Sequence, residues 1–177
     1  MRRNLIVNIV YMAALFLLVL VYRNWINISY ISFFLGGIIG TLLPYVDYLI
    51  YAYVMQPNAS VSKEAVGLIS KKDVVKSVNL MISSDLSKKD LIFHTVWFQL
   101  IFLLFTFFVV TSSGNIFGWG IVLAFSLHLF IDQVVELVEN KNFDSWFEGI
   151  PYQLDKLQKK FYLVGVGALL LVMSFLL

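Results

Sequence analysis

Ionisable side chains are scarce in the apolar parts of this chain, and the few present are spaced for metal or acid–base chemistry. His128, Asp132 and Glu136 stand at successive i, i+4 positions within one apolar run. On a helix that spacing sets an imidazole beside a carboxylate, with Cβ atoms about 5–6 Å apart, so both reach one ion. Paired histidines of zinc enzymes use the same geometry. Asp47 lies in an earlier apolar run, just after Pro44, and His94 opens another, one helical turn after Asp90. Asp47, His94, His128 and Asp132 are therefore the candidate metal ligands. Two carboxylates and two imidazoles suit Zn²⁺ first, with Mn²⁺ and Fe²⁺ also compatible. A metal held by them would lower the pKa of a water for attack on an ester or phosphoester. Glu136 or Asp90 would serve as the base, or as a partner to a ligand. The same residues also admit two other readings: buried pairs that only hold helices together, or a proton or ion path.

Long apolar helices must position these groups. Of the 177 residues 60% are hydrophobic and 14% charged, against about 45–50% and about 25% in a soluble domain. A bilayer core takes about 20 mainly apolar residues per helix. Five stretches qualify, at 5–22, 29–53, 91–111, 116–138 and 161–177. The first follows Met1-Arg2-Arg3 but lacks small residues at its far end, and so reads as a retained span rather than a signal peptide. The expected fold is an all-α integral membrane protein, a single five-helix bundle, with inner loops at 54–90 and 139–160 and localisation in the plasma (inner) membrane. Twelve of the thirteen Lys and Arg residues, all but Arg23, fall on one side if the N-terminus is inside and the C-terminus outside. That is the asymmetry of the positive-inside rule. The chain has no cysteine, which excludes disulfides and thiolate metal sites. Membrane lipid, a lipid-like substrate and self-association are the partners to consider; no nucleic-acid partner is expected.

Depth then brings the candidates together. Asp47 and Asp132 each lie about six residues before the inner end of a span, and His94 a few residues into another. At 1.5 Å per residue these positions are roughly 5–10 Å below the inner surface, with His128 one turn deeper. The outer halves of the spans hold no ionisable residue. Along span two, Gly36, Gly40, Pro44, Asp47 and Tyr51 share one face, which allows close approach of another helix, in this chain or a neighbouring copy. Pro44 removes a donor and predicts a kink, whose freed carbonyls need partners. Gln99 is a weaker candidate on a different face from His94. In the inner loops, 73–82 has the spacing of an amphipathic interfacial helix. The aromatics of 143–157 suit the headgroup zone. Ordinary connectors are the alternative for both.

At these residues the sequence resembles the membrane-bound metal-dependent hydrolase family. That family carries Leu-Pro-Asp-x-Asp on one helix, His-Arg-Gly-x-Thr-His-Ser on the next and His-x-x-x-Asp on a third. Here Leu43-Pro44-Tyr45-Val46-Asp47, Lys89-Asp90-Leu91-Ile92-Phe93-His94-Thr95 and His128-Leu129-Phe130-Ile131-Asp132 stand in the same order. Tyr45 replaces the first aspartate, Lys89 the first histidine and Asp90 the arginine. The resemblance, which covers about 36–136, implies a hydrolase and leaves the substrate open; the three replacements leave ligands for a mononuclear site but not for a two-metal one, and a degenerate member that retains only the fold is the alternative. A non-catalytic scaffold or partner subunit, and a small ion or proton transporter, are the competing functions.

Overall fold

In a lipid environment a backbone must satisfy its own N–H and C=O groups, so long apolar runs become helices. The computed structural model describes residues 2–84, 91–152 and 154–177, and among these every regular element is helical. Helix α1 is Arg2–Arg23. A 3₁₀ turn, Ile28–Tyr30, leads into α2 (Ile31–Leu42), a second 3₁₀ turn at Leu43–Tyr45, α3 (Val46–Ile50) and a π-helical turn at Tyr51–Met55. Two short helices follow, α4 (Ser60–Ser70) and α5 (Val74–Ser83). Then come α6 (Val96–Ser112), α7 (Ile116–Asn140), a 3₁₀ turn at Asp144–Phe147 and α8 (Lys156–Leu176).

Four helical runs are long and apolar enough to cross a membrane: Leu5–Arg23, Ile28–Met55, Ile116–Asn140 and Lys156–Leu176. The stretch expected as the third of five spans, 91–111, is a shorter apolar helix of 17 residues beginning only at Val96. At that length α6 is about 25 Å long, a little under the roughly 30 Å of a hydrocarbon core. Its late start has a local cause. Thr95 is extended and caps α6, its side chain accepting from the Phe98 N–H, and the Ile92 and Phe93 N–H groups are taken by Asp47. His94 therefore sits in the turn before α6, not in the first turn of a helix.

The bundle is organised by α2 against α7. A Cβ at Gly36, Gly40 or Gly120 would lie 2.2, 2.2 or 2.1 Å from a backbone oxygen of Phe117, Ile121 or Phe33, respectively. The two backbones thus touch through small residues, as in closely packed membrane helices, and the Gly36/Gly40 face is used within the chain. Phe16 of α1 stacks on Phe33 at 4.0 Å beside this seam. At the opposite end from Asp47, His128 and Asp132, Trp25 stacks on Tyr30 and on Trp119.

The two segments expected as inner loops are, over their described residues, more structured than connectors. Segment 73–82 is helical as expected, yet its Val78 and Met81 are buried on protein, and Val74 and Val75 stay exposed. The partner is α4, a helix within the expected 54–90 loop; Met81 joins Ala65, Tyr51, Ala52 and Leu91 in a small core. The 143–157 segment departs further from the headgroup placement. Phe143, Trp146 and Phe147 are buried with Val96, Phe125, Leu129 and Leu163, while Tyr152 is exposed. Glu136 causes the inward fold: its two oxygens accept from Ser145 Oγ at 2.8 Å and Trp146 Nε1 at 3.0 Å.

Candidate metal centre

The ligand atoms of His94, His128 and Asp132 lie within 4.8 Å of one another. Both histidines are 1% exposed, and the Asp132 side chain 16%. His128 and Asp132 come from one face of α7. His94 reaches them from the turn before α6, on the backbone that Asp47 holds.

Asp47 does not join this group. It is fully buried, and its oxygens accept three hydrogen bonds: Ile92 N–H at 2.9 Å, Phe93 N–H at 2.7 Å and His94 Nδ1–H at 2.9 Å. The carboxylate orients an imidazole instead of offering an oxygen to the centre, the arrangement commonly found behind a metal-bound histidine. Glu136, one turn beyond Asp132, likewise stands outside the group, with both oxygens on Ser145 and Trp146. Asp90 lies outside the described residues. Gln99 belongs to a separate buried network, where its Oε1 accepts from Gln133 Nε2 and Tyr162 Oη and so ties α6, α7 and α8.

The break at Pro44 supplies the second orienting contact. The 3₁₀ turn at Leu43–Tyr45 interrupts the α-helical ladder, and nearby the Thr41 carbonyl accepts from His128 Nδ1 at 2.7 Å. A carbonyl and a carboxylate can only accept, so Nδ1 carries a proton on both rings. In the neutral rings each Nε2 is then a lone pair, and both face the same oxygen. His128 Nε2 is 3.3 Å and His94 Nε2 3.5 Å from Asp132 Oδ2. Three electron-rich atoms so placed repel unless a cation, a proton or a metal, lies among them. Ligands at about 2.0–2.1 Å in a tetrahedral zinc site stand about 3.3 Å apart; the two histidine–Asp132 separations are close to that value, and all three ligand atoms lie within 4.8 Å. The residues present thus fit a divalent ion.

Two contributors escaped the sequence reading as site residues. Asn8 of α1, seen there only as an interruption of an apolar run, is buried; its Nδ2 donates to Asp132 Oδ1 at 3.1 Å and lies 3.5 Å from His128 Nε2. The signal was available, because an amide in an apolar span needs a partner. Trp146 had no such signal: its buried ring lies 5.5 Å from that of His94. Tyr45 packs edge-on to His128 at 5.0 Å. Its hydroxyl and Asn8 Oδ1 are buried without a hydrogen-bond partner among the described residues.

Comparison with protein-family models, with curated proteins and with solved structures finds no match.

Proposed function

We propose that this protein is a membrane-embedded, metal-dependent hydrolase whose mononuclear centre opens toward the inner leaflet. The observation that carries the reading is the convergence of two pre-oriented imidazole lone pairs and a carboxylate oxygen on one small volume. His94, His128 and Asp132 would hold the ion, leaving a coordination position open, as catalytic zinc sites do. Zn²⁺ suits the donor set best, with Mn²⁺ and Fe²⁺ as alternatives. When bound, such an ion supplies Lewis acidity toward water and toward an ester or phosphoester oxygen. The chain's own residues do the rest: Asp47 and Thr41 fix the two rings, Asn8 fixes Asp132, and Trp146 limits water entry. An amphiphilic ester or phosphoester fits the depth of the site. The motif order shared with the membrane-bound metal-dependent hydrolases supports the same reading.

In this proposal α6 also crosses the membrane, giving five passes with the Arg2 end inside, and its 17 residues are accommodated by local thinning. The lysine asymmetry supports that orientation. A Lys76→Cys variant should be labelled by an impermeant thiol reagent only in inside-out vesicles; labelling of intact cells refutes it.

A non-catalytic scaffold is the second reading. The Nε2–Oδ2 separations of 3.3 and 3.5 Å also accommodate weak N–H···O contacts if the imidazoles are protonated. Metal content separates the two. Native purification without chelators, followed by elemental mass spectrometry, should find about one divalent ion per wild-type chain and none in His128→Ala. Absence of metal from both proteins defeats the hydrolase reading.

A further inference from the structure

Away from the triad, the inner ends of α7 and α8 frame a cleft of about 500 Å³. Lys141, Lys156, Lys159 and Lys160 line it, with Asp144 as its one carboxylate. Lys141 stands just past α7 with a φ of 55°, which turns the chain back, and the other three lysines lie in the first turns of α8. Lys159 pairs with Asp144 and also lies 5.4 Å from the centre of the Phe147 ring. Asp144 is thereby answered. Among the described residues, Lys141, Lys156 and Lys160 have no carboxylate within ion-pair distance.

A second cleft, of about 730 Å³, shares Asp144, Lys156 and Lys159 with the first and continues along Phe147, Ile150 and Leu154. Its other acids are Glu148 and Asp155, and Asp155 accepts from the Gln158 N–H as the cap of α8. The excess positive charge is therefore at the Lys141 and Lys160 end, and an apolar wall leads away from it. Lys156 also opens a helix of membrane-spanning length, which places the cleft where acyl chains meet headgroups. Clustered lysines at that level attract anionic headgroups, each by about fivefold in affinity.

We infer that this cleft binds the phosphate-bearing headgroup of an anionic lipid, with an acyl chain along the Phe147–Leu154 wall. None of the triad residues lines it, so the inference does not depend on a metal being bound.

The test is native mass spectrometry of the full chain in detergent, titrated separately with dioleoyl phosphatidic acid and dioleoyl phosphatidylcholine. Phosphatidic acid should bind at least about tenfold more tightly. A Lys141→Gln/Lys156→Gln/Lys160→Gln variant should lose that preference. The corresponding triple Arg variant should keep it, as should a Lys63→Gln/Lys71→Gln control. Should the triple Gln variant not accumulate, Lys160→Gln alone should weaken phosphatidic acid binding by about fivefold. Equal affinity for the two lipids, or a preference that survives both Gln variants, overturns the proposal. Displacement of the lipid by an equal concentration of inorganic phosphate overturns it too, because the site would then recognise a free anion.

Discussion

Asp47→Asn changes one oxygen to an amide nitrogen at a position where every neighbour is a donor. The carboxylate accepts from the Ile92 and Phe93 amides and from His94 Nδ1, at 2.9, 2.7 and 2.9 Å. An asparagine keeps one acceptor oxygen and must point its NH₂ at a donor, either the Ile92 N–H or the pair formed by Phe93 and His94. At least one charge-assisted bond is lost, a buried donor goes unanswered, and the remaining bonds weaken to neutral ones. Together these should destabilise the fold by about 2–4 kcal/mol. The turn before α6 would loosen and His94 would lose its fixed ring orientation, so affinity for Zn²⁺ should fall about 10–100-fold. Unfolding in mixed micelles titrated with a denaturing detergent reads the first effect, and competition against a chromophoric chelator reads the second. If Asp47→Asn stays within about 0.5 kcal/mol of wild type, the carboxylate does not organise this turn. If its Zn²⁺ affinity is unchanged while His128→Ala abolishes binding, His94 is not oriented through Asp47.

Gly120→Leu should prevent α2 and α7 from docking, because even a Cβ there meets the Phe33 carbonyl oxygen at 2.1 Å. The expected outcome is failure to recover monodisperse protein by size exclusion, whereas Gly165→Leu, where nothing lies within 4 Å of a Cβ, should behave as wild type. Trp146→Phe keeps a ring over His94 but removes the indole donor to Glu136. It should cost about 1.5–3 kcal/mol, as expected for a hydrogen bond to a charged group, read in the same detergent titration. Asp73 caps α5 by accepting from the Lys76 N–H. The side-chain hydrogen bond from the Lys76 ammonium holds the Asp73 carboxyl below the usual value of 3.8. A carboxyl lowered in the folded state stabilises above its unfolded pKa and loses that contribution as pH falls through the folded one. The protection factor of amides in the first turn of α5, which removes the intrinsic pH dependence of exchange, should therefore be constant at neutral pH and fall only on acidification below about 3.8, with Asp73→Ala showing low protection throughout.

Much of this architecture could be read in one dimension. Apolar runs of membrane length, lysines gathered between particular runs, and Gly36 and Gly40 spaced along one helical face are local properties, and lipid leaves the backbone few alternatives to helix. The i, i+4 pairing of His128 with Asp132 is equally local, since helical geometry alone puts them on one face. Other features needed the tertiary structure. The sequence placed Asp47 in an apolar run beside Pro44 but could not distinguish a ligand from a carboxylate that holds a ligand, because that turns on which donors the turn before α6 presents to it. Asn8 and His128 are 120 residues apart, and only the docking of α1 against the seam of α2 and α7 brings them together. Trp146 and its neighbours had the composition of a headgroup segment, yet Glu136 draws them into the core. Sequence determined which apolar helices carry the polar groups and in what order; tertiary packing decided which face one another, because a buried polar atom takes its role from the partner it finds there.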